Sequence, residues 1–374
     1  MAQTHCPIRA SLISAALFSL AALPVYAQST VTADANMALR VSQDPNLTVE
    51  MLTDDPYGMG ARTSADLAAV MDDGSRLRVL PVAGRGAMQN VADLLYLKGI
   101  DIAIVQSDVL SYVRRQHLMP SESTIQYIAK LYPEEVHVLA RDDIKALGDL
   151  AGQSVCIGLH GSGSAITAAA LMHSLDIAAK LSYADEPEAL EQLRQGKVAA
   201  VILVAAKPAP LLASLGDNEG LHLLPVPLTK PLVETYLPTS LSAQDYPGLV
   251  DGKPVDTVAI SAVMVTLSAS PDSPRAHRVS RFVTTFFSRF DRLLEPGRAP
   301  KWREVSLGAQ LPGWVRFPEA QALAQRQTAA HQATLQHSFD AYLTQTGSAG
   351  ALDGTQKAAL FRDFLRWRED KASP

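Results

Sequence analysis

An alternation of short apolar runs with helix-period segments constrains this chain more than any other feature. LTVEMLT (47–53), LRVLPV (77–82) and DIAIVQ (101–106) have strand length and β-branched content, and a helical pattern follows each. In AMQNVADLLYLKG, residues Met88, Val91, Leu94 and Leu95 fall on one helix face, as packing against a sheet requires. Repeated strand–helix order covers a sheet with helices and predicts an α/β fold with largely parallel strands. A second block, starting at EEVHVLAR (134–141) and continuing through SVCIGL, PEALEQLRQGK, VAAVILV and LHLLPV, repeats the alternation.

A proline-rich stretch (Pro225 to Pro254), the strand pattern DTVAISAVMVTLSAS and the amphipathic helix SPRAHRVSRFVTTFFSRFDRLL then read as a return to the first block. Two lobes joined by two crossings are expected: 46–135 with 238–317 as the first, 136–237 as the second. Residues 318–374 are expected to form a helical extension, broken at Gly347 to Gly350. Its apolar face would dock on the second lobe or on a partner, with docking inside the chain preferred.

Residues 1–27 carry a basic start at Arg9, an apolar run from Ala10 to Leu23, and Val25-Tyr26-Ala27 as a small-residue cleavage pattern. They predict an exported, periplasmic protein, the run being short for a membrane span. The net charge of −5 and the lack of a Lys/Arg stripe argue against nucleic acid. Of the two cysteines, Cys6 leaves with the signal and Cys156 lies in an apolar run, where a buried inert thiol is expected.

The loops after the strands carry the chemistry, because ligands in open α/β sheets bind at the carboxyl ends of strands. They are Asp55-Pro-Tyr-Gly-Met-Gly60, Ala83-Gly-Arg-Gly-Ala87, Val105-Gln-Ser-Asp108 and Gly158-Leu-His-Gly-Ser-Gly-Ser-Ala-Ile-Thr167. In the last of these, glycines would let backbone approach a ligand, and N–H groups at a helix start favour an anion. A tight turn with a serine cap is the plainer reading.

The blocks LRVLPVAGRGAMQNVADLLYLKGIDIAIVQSDVL, LYPEEVHVLAR, LGDLAGQSVCIGLHGSGSAITAAALMHSLDI and EALEQLRQGKVAAVILV resemble the TAXI solute receptors, the extracytoplasmic binding subunits of one branch of the TRAP transporters. The resemblance runs from about Leu77 to Leu224. It implies a two-lobed periplasmic binding protein, type II-like, that shuts on a small anionic organic solute and delivers it to TRAP-type permease subunits, with no cofactor. It also implies that Gly84 to Ala87, Gln106 to Asp108 and Gly161 to Ser164 surround the solute. A sensor-coupled receptor of the same fold is the alternative.

One departure from the family stands out: Gly84-Arg85-Gly86-Ala87 replaces a Thr-Gly-Gly-Ser type loop, exchanging a hydroxyl for a guanidinium that suits a carboxylate. Arg85 is therefore expected to bind solute rather than be solvated. Gln106 would contact solute or merely satisfy backbone. Ser107 is more readily a cap than a contact, whereas Ser162, flanked by Gly161 and Gly163, and Ser164 are the stronger hydroxyl candidates. Tyr57 would stack over the solute or sit exposed, and Lys207 would supply a second cation or be solvated. Enzyme signatures fail one by one. No His-x-x-x-His pair occurs, and GSGS is neither a nucleophile elbow nor a P-loop. The expectation is a binding protein with an electropositive gap between facing loop edges.

Overall fold

In a computed structural model of the protein, the structure describes residues 48–372 except 54–57, 75, 122, 217–219 and 346–352. The expected signal segment, Tyr57 and the Gly347 to Gly350 break lie outside the described residues. The first lobe opens with β1 (Thr48–Thr53), α1 (Met59–Met71), β2 (Arg78–Ala83), α2 (Ala87–Tyr96), β3 (Ile100–Gln106) and α3 (Ser107–Arg115). Strand β1 pairs in parallel with β2 on one side and β3 on the other. All seven residues of β3 are buried, as befits a strand with helices over both faces.

Two long strands join the lobes: β4 (Ile125–Arg141) and, later in the chain, β10 (Val255–Leu267). They run antiparallel, with Ile125 opposite Leu267 and Glu135 opposite Ala259. The sheet is therefore mixed rather than largely parallel, because β10 is antiparallel to both β3 and β4. The second block expected from sequence starts at Glu134, after a proline, but β4 runs straight through that point. Pro133 faces Ser261 beside a register shift, and such an irregularity tolerates a residue that cannot donate to the ladder.

The second lobe holds β5 (Ser154–Cys156), α4 (Gly163–Ser174), β6 (Lys180–Ser182), α5 (Glu186–Arg194), β7 (Ala200–Ala205), α6 (Pro210–Ala213), β8 (Leu221–Leu223), α7 (Lys230–Val233) and β9 (Leu237–Leu241). Its sheet runs from the outer part of β4 through β7 and β5 to β6. The chain does not return to the first lobe at 238. Leu241, Tyr246 and Val250 share a core with Leu139, Cys156 and Leu203, and β9 pairs with Val255 to Ala259. The prolines there look like a linker in sequence, but the apolar residues between them fill the second lobe. The second crossing accordingly falls within β10.

Tyr246 closes this core with its hydroxyl, which accepts Ala209 N–H at 2.8 Å and shares a hydrogen bond of 2.7 Å with His137 Nε2. Burial holds His137 neutral and lowers its pKa from 6.5 to about 4. The unfolded chain then takes up this proton first as pH falls. Stability from the neutral imidazole is complete above pH 6.5 and is lost toward pH 4. That contribution is about 3 kcal/mol at 1.36 kcal/mol per pH unit. Asp108 and Glu135, raised by burial, act in the opposite sense over their own window. His137→Asn keeps a polar partner for Tyr246 but cannot titrate. Urea denaturation across this pH range should show a flatter acid limb for the variant, and parallel profiles would refute the assignment.

After β10, α8 (Pro274–Leu293) starts at Ser273, whose hydroxyl accepts Ala276 N–H at 3.2 Å, and buries Phe282, Phe286 and Phe287 against the first lobe. The extension comprises α9 (Pro318–Gln345) and α10 (Gly354–Ala372). It docks on the first lobe rather than the second, because Phe317, Ala320 and Ala324 join that core. From Gln325 to Thr334 every residue of α9 is exposed. Farther on, Phe339 meets Phe361 of α10 with ring centroids 5.4 Å apart. Among the described residues, no helix is long and apolar enough to cross a membrane.

Candidate functional site at the lobe interface

The loop edges of the two lobes meet face to face. Gly86 adopts a φ of 112°, and a Cβ there would lie 3.2 Å from the Gly161 carbonyl oxygen of the opposite lobe. Beside it, Met88 N–H donates to that carbonyl at 3.1 Å. From the first turn of α3, Asp108 Oδ2 accepts the Thr167 hydroxyl at 2.7 Å and the Tyr236 hydroxyl at 3.3 Å, both from the second lobe. Gly163, at the start of α4, packs so tightly on Gln106 that a Cβ would fall 1.5 Å from Oε1. Only glycine fits there.

This edge concentrates polar atoms that have not found partners. Gln106 Nε2 donates to Glu134 Oε2 at 2.6 Å, while its Oε1 is buried and unpartnered. Asp108 Oδ1 is likewise without a partner, as are both side-chain polar atoms of Asn90, which is fully buried beneath Gly84. Buried polar atoms are ordinarily paired, so Gln106, Asp108 and Asn90 are exceptions on one lobe edge. Burial raises the Asp108 carboxyl above the ordinary carboxylate range, with the Thr167 hydrogen bond pulling the other way. The Tyr236 phenol is raised by its own burial and by Asp108 beside it. In contact with Gln106, the N–H groups of Gly163 and Ser164 stand in the first turn of α4, where a helix leaves its N–H groups without intrahelical acceptors. The helix dipole adds to their partial positive charge.

The candidates named from sequence separate into those brought together and those left aside. Gly84, Gly86, Gln106, Asp108, Gly161 and Gly163 lie at this edge. Gly84 has no room for a side chain, since a Cβ would sit 1.9 Å from Asn90 Oδ1. Ser162 accepts Ala165 N–H at 3.1 Å and is the cap of α4. Ser164 has its hydroxyl on the backbone of Val204. Ser107 is not a cap: Gln106 holds that position, and no side chain caps the helix. Arg85 is exposed. Lys207 donates to Ser240 O at 2.5 Å and lies 3.6 Å from Asp245. Its backbone N–H binds Glu135, which alternates to the opposite face of β4 from Glu134. The edge expected to be electropositive carries the acidic Asp108 and Glu134, while Arg85 is exposed and Lys207 Nζ is held by Ser240 and Asp245.

Asn90, Glu134, Thr167 and Tyr236 escape the sequence reading. Thr167 carries a readable signal: it stands four residues after Gly163, one turn along the same helix face. Glu134 and Tyr236 reach the edge through the strand crossing and the second-lobe loops, which no local pattern announces. Among the described residues, no group of three His, Cys, Asp or Glu could hold a metal ion.

Comparison with solved structures finds low-identity likenesses. An amino acid ABC transporter substrate-binding protein from Streptococcus pneumoniae, bound to L-arginine, is 15% identical with a TM-score of 0.41, covering 72% of this chain and 98% of that one. The ArgBP mutant from T. maritima is 13% identical with a TM-score of 0.38, covering 68% and 99%. The periplasmic domain of BvgS from B. pertussis is 13% identical with a TM-score of 0.40, covering 68% of this chain but only 42% of that one. The two-lobed α/β architecture follows from the strand order and the paired crossings described above. The model of the NMT1-like family matches residues 56–308, well over half of the sequence, and the chain belongs to that family.

Proposed function

We propose that this protein is a periplasmic solute receptor of the TAXI type, which shuts on a small carboxylate by rotation about β4 and β10 and passes it to a TRAP-type permease. The observation that carries this reading is the pair of facing edges: buried, unpartnered Gln106 Oε1 and Asp108 Oδ1 on the first lobe, and the start of α4 at Gly163 on the second. With the lobes apart, the start of α4 suits a solute carboxylate, because N–H groups and the dipole there favour an anion. Hydrogen-bond donors on the same solute fit Asp108 and Gln106. A glutamate-like amino acid meets both needs, whereas an oxoacid offers Asp108 no ammonium. Arg85, exposed on the loop beside this edge, would steer an anion inward rather than hold it.

Solute contacts to both lobes favour the shut state over the open one. Calorimetry and small-angle scattering test this together. Glutamate is expected to bind about tenfold or more tightly than 2-oxoglutarate, a difference of about 1.4 kcal/mol, and to reduce the radius of gyration. Failure of both acids to bind, or binding with unchanged dimensions, would overturn the proposal. The exposed stretch of α9 supports a protein partner. Uptake into vesicles holding the permease would separate transport from signalling.

A further inference from the structure

Away from the lobe interface, a groove of about 250 Å³ runs between the loop before Phe317 and the second to fourth turns of α9. At its base lies Arg316, 7% exposed. Its Nη1 donates to Leu307 O at 3.3 Å and its Nη2 to Ala309 O, while its guanidinium lies 4.8 Å from the Tyr127 ring centroid. Its Nε has no partner, and no carboxylate pairs with it among the described residues. Carbonyls and an aromatic face stabilise a guanidinium without cancelling its charge. Buried charges are ordinarily paired, so this one awaits a counter-ion.

The wall opposite is equally particular. Gln321, Gln325, Thr328 and Gln332 recur at spacings of four, three and four along α9 and so form one stripe, which Gln310 faces from the loop. None of the lining residues is acidic. Primary amides donate and accept equally, which suits hydroxyl-bearing ligands. Gly308 pins one end of the groove, where a Cβ would lie 3.4 Å from Thr328 Oγ1. We infer that this groove is a second binding site, independent of the lobe interface, for a small polyhydroxylated ligand carrying one oxyanion. The oxyanion neutralises Arg316, the hydroxyls meet the glutamine stripe, and occupancy ties the exposed part of α9 to the first lobe.

D-gluconate and inorganic phosphate probe the two sources of that oxyanion, and sorbitol lacks it. Two variants of the full chain locate the site in calorimetry. Thr328→Asp, at an exposed helix position, gives the groove its own carboxylate without disturbing Arg316; Gly163→Val blocks the lobe interface. The expected result is gluconate binding that survives Gly163→Val, falls about tenfold or more in Thr328→Asp, and exceeds sorbitol binding by a similar factor. Phosphate binding with the same variant pattern and no gluconate binding would assign the oxyanion alone and overturn the polyol part. Binding of neither anion, or binding lost in Gly163→Val and kept in Thr328→Asp, overturns the site altogether.

Discussion

Gly163→Val is expected to abolish solute capture while leaving the protein folded. At this position a Cβ would lie 1.5 Å from Gln106 Oε1, 2.3 Å from its Cδ and 2.6 Å from its Nε2, so the whole amide is overlapped. Gln106 cannot step aside cheaply, because it is buried and its Nε2 is held by Glu134 at 2.6 Å. Each lobe alone accommodates the valine, which sits in the first turn of a helix, but the two lobes cannot meet around it. Affinity for the solute should fall about a hundredfold or more, equivalent to about 2.7 kcal/mol, and scattering should report an expanded particle at every ligand concentration. Gly163→Val with Gln106→Ala makes room for the added methyls and should recover the compact shape, separating a steric block from damage to α4. A compact, binding-competent single variant would mean that this contact is no part of closure.

The reach of the sequence can be judged from the same residues. The alternation of apolar runs and helical patterns locates β1, β2, β3 and β7 within two residues and the helices after them within three, and β3 and β7 are clearest because a strand buried on both faces is apolar throughout and short. It is silent about β4 as a 17-residue element, since Pro133 interrupts the apolar pattern where the strand passes from one lobe to the other. The glycines of the GSGS turn and the GRG loop are legible as close approaches. What they approach is not: Gly86 meets Gly161 and Gly163 meets Gln106 across some 55 to 75 positions of sequence. Charge misleads most. Arg85 is conspicuous in sequence and exposed in the structure, while Asp108 and Glu134 are inconspicuous and buried at the edge. A side chain's chemistry can be read locally, but its neighbours across the lobes are fixed by topology.

The same dependence on topology makes Lys301 the position where loss of a single charge should destabilise the chain most. Glu135 sits at the crossing of β4, 1% exposed, and its carboxylate accepts Lys301 Nζ from the first lobe at 3.1 Å and Lys207 N–H from the second at 2.8 Å. Burial raises the Glu135 pKa, and the Lys301 ammonium works against that rise. Lys301, 2% exposed, also meets Glu304 at 3.1 Å. Replacing it by methionine keeps the apolar stem and deletes the charge, leaving Glu135 buried with one N–H for company. Breaking a buried pair in this way costs about 3–5 kcal/mol, whereas removing both charges is close to neutral. Urea denaturation should therefore show Lys301→Met strongly destabilised and Lys301→Met with Glu135→Gln largely restored. If Lys301→Met costs under about 1 kcal/mol, the range of an exposed pair, Glu135 is not held by this contact and the crossing must owe its rigidity to strand pairing alone. The double variant carries a further consequence, because Glu135 is bonded to both lobes at once. A glutamine at 135 can still accept Lys207 N–H but finds no donor at 301, so without that bridge the swing between open and shut should become easier, and solute-induced compaction should be retained even as the unliganded shape shifts.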